Sequence, residues 1–206
     1  MKKTNNKGFS LVELIIVIAI MAILAGAIAP ALIKYIDKSR KSNDVSSAKT
    51  IKTAIETALG TESVYETLTA INSGKDVTKI TIMPGESTAA DTATGTSAVK
   101  IEDCTAPTGA ASLTDCAKSI GSNIGEKTPK TKYKKEVYED GETKSTGTKF
   151  APQSFVAFIT PGGTVYVCVA PANGTGATCD PDGGTSGAAK FTSCAPLAPE
   201  VCKGYQ

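Results

Sequence analysis

The chain has 206 residues, of which 41% are hydrophobic and 20% charged, and its formal net charge is +2. These values are ordinary for one folded domain with an appendage, and so small a charge gives no reason to expect nucleic acid as a partner. The sequence contains no histidine and no tryptophan. It therefore lacks the commonest general base and metal ligand, and a large aromatic binding groove is not expected.

A short basic segment precedes a long apolar one. Residues 1–8 contain three lysines, whereas the stretch from Phe9 to Ile33 contains one charged residue, Glu13. About 20 apolar residues are enough to cross a bilayer as a helix, so we expect residues 9–33 to span a membrane. An ionised side chain in hydrocarbon costs about 2.5–3.5 kcal/mol on insertion scales. Glu13 is therefore a candidate functional residue.

The helical pattern continues beyond the apolar stretch. Residues 34–59 carry apolar side chains three and four positions apart, including Ile51 and Ile55, which is the pattern of an amphipathic helix. We expect one helix over residues 9–59, ended by Gly60 because glycine accepts the conformation that follows a helix. The head is then expected to comprise residues 60–206.

Two helix-breaking residues, Gly26 and Pro30, lie inside the predicted helix. A proline in a helix interior removes a hydrogen bond and costs about 3 kcal/mol or more. One explanation is a kink in a membrane helix, where such breaks are tolerated. The other is that this stretch loses helicity in a different state of the protein, and both explanations remain open.

The segment Gly8-Phe9-Ser10-Leu11-Val12-Glu13-Leu14 joins the basic and apolar segments. This arrangement resembles the processing signal of type IV pilins and pseudopilins, and the resemblance covers about residues 2–35. It implies that residues 1–8 are a leader, that a prepilin peptidase cleaves between Gly8 and Phe9, and that the new amine of Phe9 is methylated. It also implies that Glu13 pairs with the N-terminal amine of a neighbouring subunit. Loss of helicity around Gly26 and Pro30 would accompany passage from membrane to filament.

An ordinary secretory signal peptide and a permanent single-span anchor are the alternatives for this segment. The sequences at residues 25–27 and 27–29 both fit an A-x-A cleavage site. Three features oppose the signal peptide: Glu13 interrupts the apolar core, Pro30 directly follows the second site, and the amphipathic pattern continues beyond it. Lysine and arginine counts on the two sides do not set the orientation. The family resemblance places the leader in the cytoplasm.

Six cysteines lie in the second half of the chain: Cys104, Cys116, Cys168, Cys179, Cys194 and Cys202. None of them has the C-x-x-C spacing of a zinc site, and an even number behind an export signal indicates disulfides in an oxidising compartment. The pairing that we prefer joins neighbours in the sequence, namely 104 with 116, 168 with 179, and 194 with 202. Buried free thiols are the alternative, and the sequence does not fix the pairing.

The clearest β-strand signal lies late in the head. Ser154–Ile159 and Thr164–Val169 are rich in β-branched and aromatic residues, and the turn Pro161-Gly162-Gly163 separates them. This pattern predicts an antiparallel hairpin. Shorter strands are expected at residues 78–82, within 133–138 and at 189–192. The predicted class is α+β: a long N-terminal helix packed on an antiparallel sheet with one apolar face, stabilised by disulfides.

The sequence Asp180-Pro181-Asp182-Gly183-Gly184 has two interpretations. Clustered carboxylates suit calcium, but Pro-Asp-Gly is a common turn, and we favour the turn. No metal or other cofactor is otherwise predicted. Asn173-Gly174-Thr175 fits the short N-glycosylation sequon, which is a weak signal.

The functional prediction is a structural subunit, a type IV pilin that polymerises into an extracellular filament, and not an enzyme. The resemblance implies four partners: further copies of the chain, a prepilin peptidase, an inner-membrane platform protein and an assembly ATPase. The precursor would be a single-pass protein of the cytoplasmic membrane, and the mature subunit would lie in a pilus on the cell surface. The alternatives are a pseudopilin of a type II secretion system, a competence pilin, or a membrane-anchored or secreted binding module such as an adhesin.

Overall fold

The computed structural model describes residues 10–88, 98–125, 127–138, 149–182 and 189–206. The chain divides into two compact units, Met1–Ser39 and Arg40–Gln206. Helix α1 comprises Leu11–Leu59 and contributes residues to both units. The predicted α+β class, with a long N-terminal helix and an antiparallel sheet, is confirmed. The predicted boundaries of leader, helix and head stay predictions.

Within its described residues, the second unit contains two further helices and nine short strands. The helices are α2 (Glu62–Thr69) and α3 (Leu113–Ile124). The strands are β1 (Thr78–Ile82), β2 (Val99–Glu102), β3 (Val137–Tyr138), β4 (Lys149–Phe150), β5 (Ser154–Ile159), β6 (Val165–Ala170), β7 (Thr178–Asp180), β8 (Lys190–Thr192) and β9 (Ala195–Ala198). Two single-turn 3₁₀ helices, Ala172–Gly174 and Lys203–Tyr205, complete the described elements.

Five strands form the main sheet in the order β2-β1-β5-β6-β9, and every neighbouring pair is antiparallel. The predicted β5–β6 hairpin is confirmed, with Ile159 opposite Val165 across the turn. The predicted strand at residues 78–82 is β1. The strand expected within residues 133–138 is reduced to the two residues of β3, which pair with β4 outside the main sheet.

The inner face of the sheet covers one stripe of α1. Alternate residues of β5 and β6, as predicted, share this face because side chains alternate along a strand. The stripe and the facing strand residues belong to one buried cluster, which includes Ala48, Ile51, Ile55, Ala58, Phe155, Ala157, Ile159, Val165, Val167 and Val169. Burying a large apolar side chain contributes about 1.5–3 kcal/mol. This contact is the main apolar core of the unit.

The outer face of the sheet is also buried, which differs from the prediction of one apolar face. Val156 and Phe158 of β5 lie in a second cluster with Cys168, Ala177 and Cys179. The two-stranded ribbon of β7 and β8 supplies part of this cover. The strand expected at residues 189–192 is β8, but it pairs with β7, and β9 occupies the edge of the main sheet.

Helix α3 is not among the elements that the sequence predicted. The Asp115 backbone N–H donates to Ser112 Oγ at 3.1 Å, and the Ser112 hydroxyl donates to the Asp115 carboxylate at 2.6 Å. This N-terminal cap satisfies a backbone donor that the helix leaves unpaired. Asn123 Nδ2 donates to the Ala54 carbonyl at 3.2 Å, which joins α3 to α1. The pattern of serine followed three residues later by aspartate was the signal for this helix.

One carboxylate of the α1 stripe is completely buried. Asp44 Oδ1 accepts from the Lys132 backbone N–H at 2.6 Å, and Asp44 Oδ2 accepts from the Tyr133 backbone N–H at 2.9 Å. The Tyr133 ring also meets Lys41 Nζ, 5.3 Å from its centroid, and contacts the Tyr205 ring edge-on at 5.6 Å. Asp44 therefore holds α1 against the segment that leads into β3. Through Tyr133, this segment also contacts Tyr205 in the C-terminal 3₁₀ helix.

Burial raises the pKa of the Asp44 carboxyl above its ordinary value of 3.8, although the Lys132 and Tyr133 N–H donors oppose the rise. The folded chain then holds the proton more tightly than the unfolded chain. The resulting stabilisation is fully present below the unfolded pKa and is lost as pH rises through the folded pKa. Asp44 thus opposes acid destabilisation instead of contributing to it.

We expect Asp44→Asn to destabilise the full chain by about 1–3 kcal/mol, because an amide offers one acceptor oxygen and turns a donor towards the other N–H. Asp44→Ala is expected to cost more, since it leaves both N–H groups unpaired. The loss in Asp44→Asn should be larger at mildly acidic than at neutral pH. Denaturant unfolding of detergent-solubilised protein at both pH values measures this. Glu66→Gln, at an exposed position of α2, is the control. Equal stability of Asp44→Asn and wild type at both pH values would contradict the assignment.

Gly174 packs the turn between β6 and β7 against the outer face. Its backbone has φ +64°, and a Cβ added there would lie 2.6 Å from Val156 Cγ2 and 3.1 Å from Thr81 Oγ1. Its N–H donates to Ser154 Oγ at 3.0 Å, and its carbonyl accepts from Lys79 Nζ at 2.9 Å. Glycine is required here by both conformation and space.

Gly174→Ala is expected to cost about 1–2 kcal/mol for the left-handed conformation and about 1–3 kcal/mol more for overpacking against Val156. Gly109→Ala is the matched control. Gly109 has φ +93° and no heavy atom within 4 Å of an added Cβ, so only the conformational cost applies. Thermal unfolding of both variants compares the two effects. Equal losses of stability would show that the contact with Val156 is unimportant.

Candidate functional site

In the unit Met1–Ser39, helix α1 presents apolar side chains on all sides. Every described residue from 10 to 36 is exposed, and Leu11 and Ile23 each expose 72% of their surface. Within the described residues, α1 is the one helix long and apolar enough, by length and composition, to cross a membrane. A helix that is apolar all round is stable where lipid or other protein covers it. Its surroundings are therefore expected to be a membrane or other chains.

Glu13 lies in the first turn of α1 and binds the backbone at the helix start. The Ser10 backbone N–H donates to Glu13 Oε2 at 2.9 Å, and the Leu14 N–H donates to the Ser10 carbonyl at 3.2 Å. A carboxylate here satisfies a backbone donor and is favoured by the positive end of the helix dipole. The Glu13 side chain is exposed, so this local bond leaves it within reach of a group on another chain.

Gly26 and Pro30 lie one helical turn apart, and both are inside α1. Because proline has no N–H, the Gly26 carbonyl lacks its usual partner four residues later, and the proline ring crowds that carbonyl. Glycine at position 26 destabilises the helix by about 1 kcal/mol more relative to alanine. The two breakers therefore act on a single turn. The predicted loss of helicity there stays a prediction.

The predicted cleavage site, Gly8 and Phe9, lies outside the described residues. Ser10, the residue that follows it, is exposed and directly precedes the first residue of α1.

All six cysteines are described, and none is joined in a disulfide in this structure. Burial, and more weakly the nearby Cys104, raise the pKa of the Cys116 thiol, which agrees with the predicted neighbourhood of these two residues. Cys194 lies in the outer-face cluster, whereas Cys202 packs against the inner one. The members of one preferred pair therefore lie in different clusters. Disulfide formation stays a prediction.

Asp180 and Asp182 form a local turn. The Asp182 backbone N–H donates to Asp180 Oδ1 at 3.2 Å, which is the side-chain turn that aspartate makes two residues before its donor. Among the described residues, no group of three or more histidine, cysteine, aspartate or glutamate side chains is placed to hold a metal ion. Gly183 and Gly184, the rest of the suggested calcium sequence, lie outside the described residues. The sequon residue Asn173 is exposed in the turn that Gly174 fixes.

One buried polar contact that the sequence did not reveal lies in the second unit. Asp44 is charged, whereas the other buried residues of α1 are apolar, and a charged residue at such a position signals a buried partner. Its partners on residues 132 and 133 could not be read from the sequence, because they are backbone groups 88 and 89 residues away.

The N-terminal segment of the chain is similar to known proteins. The family described as "Prokaryotic N-terminal methylation motif" matches residues 3–29. That range includes Gly8, Phe9, Glu13 and Gly26. This chain carries the prokaryotic N-terminal methylation motif. The resemblance of its N-terminal segment to type IV pilins is thereby confirmed.

Two named relatives extend the similarity beyond the motif. The chain is 46% identical over 57 residues to the type IV major fimbrial protein FimA of Dichelobacter nodosus, covering 28% of this chain and 36% of that protein. It is 48% identical over 54 residues to fimbrial protein Q of Moraxella bovis, covering 26% of this chain and 34% of that protein. The chain thus spans about a third of the length of these relatives. No solved structure matches the chain.

Proposed function

We propose that this chain is a type IV pilin, a structural subunit that polymerises into an extracellular filament. The observation that carries the proposal is the methylation motif over residues 3–29, placed at the start of a helix with an exposed apolar surface. The relatives named as fimbrial proteins support it. An apolar helix of this kind suits a membrane before assembly and the packed interior of a filament afterwards.

Three residues carry the proposed processing and assembly steps. A prepilin peptidase cleaves between Gly8 and Phe9 and methylates the amine of Phe9. Glu13 then pairs with the N-terminal amine of a neighbouring subunit. Within one helix the carboxylate is bound to the Ser10 N–H at 2.9 Å. Between axially offset helices, the two opposite charges meet in a low-dielectric core, where an unpaired charge costs several kcal/mol.

The turn of Gly26 and Pro30 is proposed to lose helicity when subunits enter the filament. Its helix is already weakened by the missing bond at the Gly26 carbonyl. In a membrane an unsatisfied carbonyl costs several kcal/mol, whereas a packed filament offers other donors. We therefore expect α1 to lose its helical conformation most readily at this turn.

The proposed role is structural and not enzymatic, and it requires no cofactor. The proposed partners are other copies of this chain, the prepilin peptidase, an inner-membrane platform protein and an assembly ATPase. We propose that the precursor is a single-pass protein of the cytoplasmic membrane. The mature subunit would lie in a pilus on the cell surface.

The mature protein is expected to begin at Phe9 with a methylated amine. The reason is the position of Gly8 and Phe9 between a lysine-bearing leader and an apolar span. Intact mass and N-terminal sequencing of protein from native cells measure the start. Gly8→Val is expected to accumulate the precursor, while Gly26→Ala, within the same motif, is processed normally. A start at Ile28 or Pro30 would restore the secretory signal peptide and refute the proposed function.

Glu13→Ala is expected to leave insertion and cleavage nearly intact and to abolish or strongly reduce filaments. Glu13→Gln is the variant to compare with Glu13→Ala. Glutamine keeps an oxygen that can accept from the Ser10 N–H and has a similar helix propensity, but it removes the charge. If pairing with the neighbouring amine is the function of Glu13, both variants lose filaments.

Electron microscopy counts the surface filaments, and immunoblots for processed subunit show whether each variant is made and cleaved. Filaments in Glu13→Gln but not in Glu13→Ala would assign Glu13 to the local helix cap. Normal filament numbers in both variants, at normal subunit levels, would reject the assembly role altogether.

A further inference from the structure

Exposed charges of opposite sign lie at two separate places in the second unit. Residues 127–135 contain five lysines, all exposed, and no acidic residue. We call this range the lysine segment. On α2, Glu62 and Glu66 are both exposed, and because they lie four residues apart they share one face of the helix. We call these two residues the α2 carboxylates.

Contacts with α1 and the sheet hold the lysine segment in place. The Lys132 backbone N–H donates to Asp44 Oδ1 at 2.6 Å, and Thr131 Oγ1 donates to the Pro152 carbonyl at 3.1 Å. Lys41 adds a further positive charge beside the segment, with its Nζ 5.3 Å from the Tyr133 ring centroid. The segment is thus attached through its backbone and Thr131, and its lysine side chains stay exposed.

The α2 carboxylates lie at the other end of the buried part of α1. The lysine segment is bound at Asp44, whereas α1 ends at Leu59 and α2 begins at Glu62. An α-helix rises about 1.5 Å per residue, so about 22 Å of helix separates Asp44 from Leu59. The two sets of charges are therefore far apart within one copy.

Strand β1 gives a second, independent measure of this separation. At its first residue, Thr78 Oγ1 donates to the Leu68 carbonyl of α2 at 2.7 Å. Beyond its last residue, the Gly85 N–H donates to the Thr128 carbonyl of the lysine segment at 3.1 Å. The strand thus runs from α2 at one end of the unit to the lysine segment at the other.

Ion pairs within the unit leave both sets of charges available. Those between described residues join Lys52 to Glu56, Lys75 to Asp103, and both Lys79 and Lys100 to Glu102. The α2 carboxylates, Lys130 and Lys132 take part in none of them. Among the described residues, the acidic neighbours of the lysine segment are Glu86 and Glu136, which are fewer than its lysines. One end of the unit is therefore basic, and α2 at the other end is acidic.

We propose that the lysine segment of one copy docks on the α2 carboxylates of a second copy that is offset along the axis of α1. The two surfaces differ, so each copy uses both at once. A contact between unlike surfaces builds an open filament wherever the rotation between copies does not close a ring. Opposite charges also steer the encounter and fix its register. The proposal rests on the proposed function, since it names head surfaces that meet in the filament.

An anionic lipid surface is the other partner that suits exposed lysines. Such a surface carries the same sign of charge as the α2 carboxylates and leaves them without a role. A second copy of the chain matches both surfaces, because its own α2 meets the lysine segment and its own lysine segment meets α2. The complementarity of the two ends therefore favours the second copy.

Two variants of the full chain test the contact. The lysine-reversed chain carries Lys130→Glu with Lys132→Glu, and the carboxylate-reversed chain carries Glu62→Lys with Glu66→Lys. Each chain alone presents the same charge at both ends, so its copies repel and most filaments are expected to be lost. When both chains are made in one cell, unlike copies are complementary, and filaments are expected to return.

The matched control is Lys118→Glu with Lys190→Glu, which makes the same change of net charge at exposed lysines outside the lysine segment. It is expected to keep its filaments. Electron microscopy counts filaments, and immunoblots show that processed subunit is present at equal levels. Normal filaments in either reversed chain, equal loss in the control, or no return on co-expression would overturn the proposal.

The lipid alternative has its own outcome. Loss of filaments in the lysine-reversed chain alone, with weaker binding of that purified chain to phosphatidylglycerol vesicles, would assign the lysine segment to a lipid surface and overturn the docking of two copies.

Cross-linking of wild type needs no variant and separates this proposal from the proposed function. A carbodiimide joins a lysine amine to a carboxylate in contact with it. After digestion, mass spectrometry is expected to find the lysine segment linked to the α2 peptide, which only two copies in contact provide. Filaments of a chain that begins at Phe9 but lacks this link would overturn the docking and keep the pilin assignment. The link in a chain that begins at Ile28 and forms no filaments would keep the docking and refute the pilin assignment.

Discussion

Burial of one stripe of α1 against the inner face of the five-stranded sheet is the interaction on which the second unit depends. Ile51 and Ile55 are completely buried, as are Phe155 and Ile159 on the facing strand. Each such side chain contributes about 1.5–3 kcal/mol, whereas a whole domain is stable by about 5–15 kcal/mol. Without the helix, the alternating residues of β5 and β6 would expose an apolar face to water, and the sheet would not be stable alone.

Apolar contact alone does not fix where the helix lies along the sheet, and buried polar groups supply that information. Asp44 accepts from two backbone donors, and among the described residues the segment at Lys132 and Tyr133 provides both. A shift of α1 by one turn would leave the carboxylate and both donors unpaired, at a cost of about 1–3 kcal/mol for each group. The Asn123 amide on the Ala54 carbonyl acts in the same way for α3. Packing thus provides the stability, and these few bonds specify the arrangement.

Glu13 in the first unit is also a carboxylate that needs a partner, but its partner differs from that of Asp44. A carboxylate at the start of an apolar segment needs a partner, and within its own helix it has the Ser10 N–H. One neutral donor satisfies a hydrogen bond but not a charge. A cationic amine on a neighbouring chain would neutralise it, and a carboxylate bound once is therefore suited to join subunits. Asp44 accepts two hydrogen bonds inside its own unit, whereas Glu13 is proposed to pair with a charged group on a second copy.

The sequence by itself determined the features that depend on local pattern. The apolar run to Ile33 and its single charge, the helix to Leu59, and the β5–β6 hairpin with its inward-facing residues all follow from periodicities that neighbouring residues set. The motif at Gly8 and Phe9 was likewise readable, although its processing stays a prediction. Tertiary structure decided what depends on distant residues. The cover on the outer face, the placement of β9 at the sheet edge and the donors for Asp44 all arise from long-range register. Such contacts leave no periodicity in the chain, because each partner is chosen by the fold and not by its neighbours in sequence.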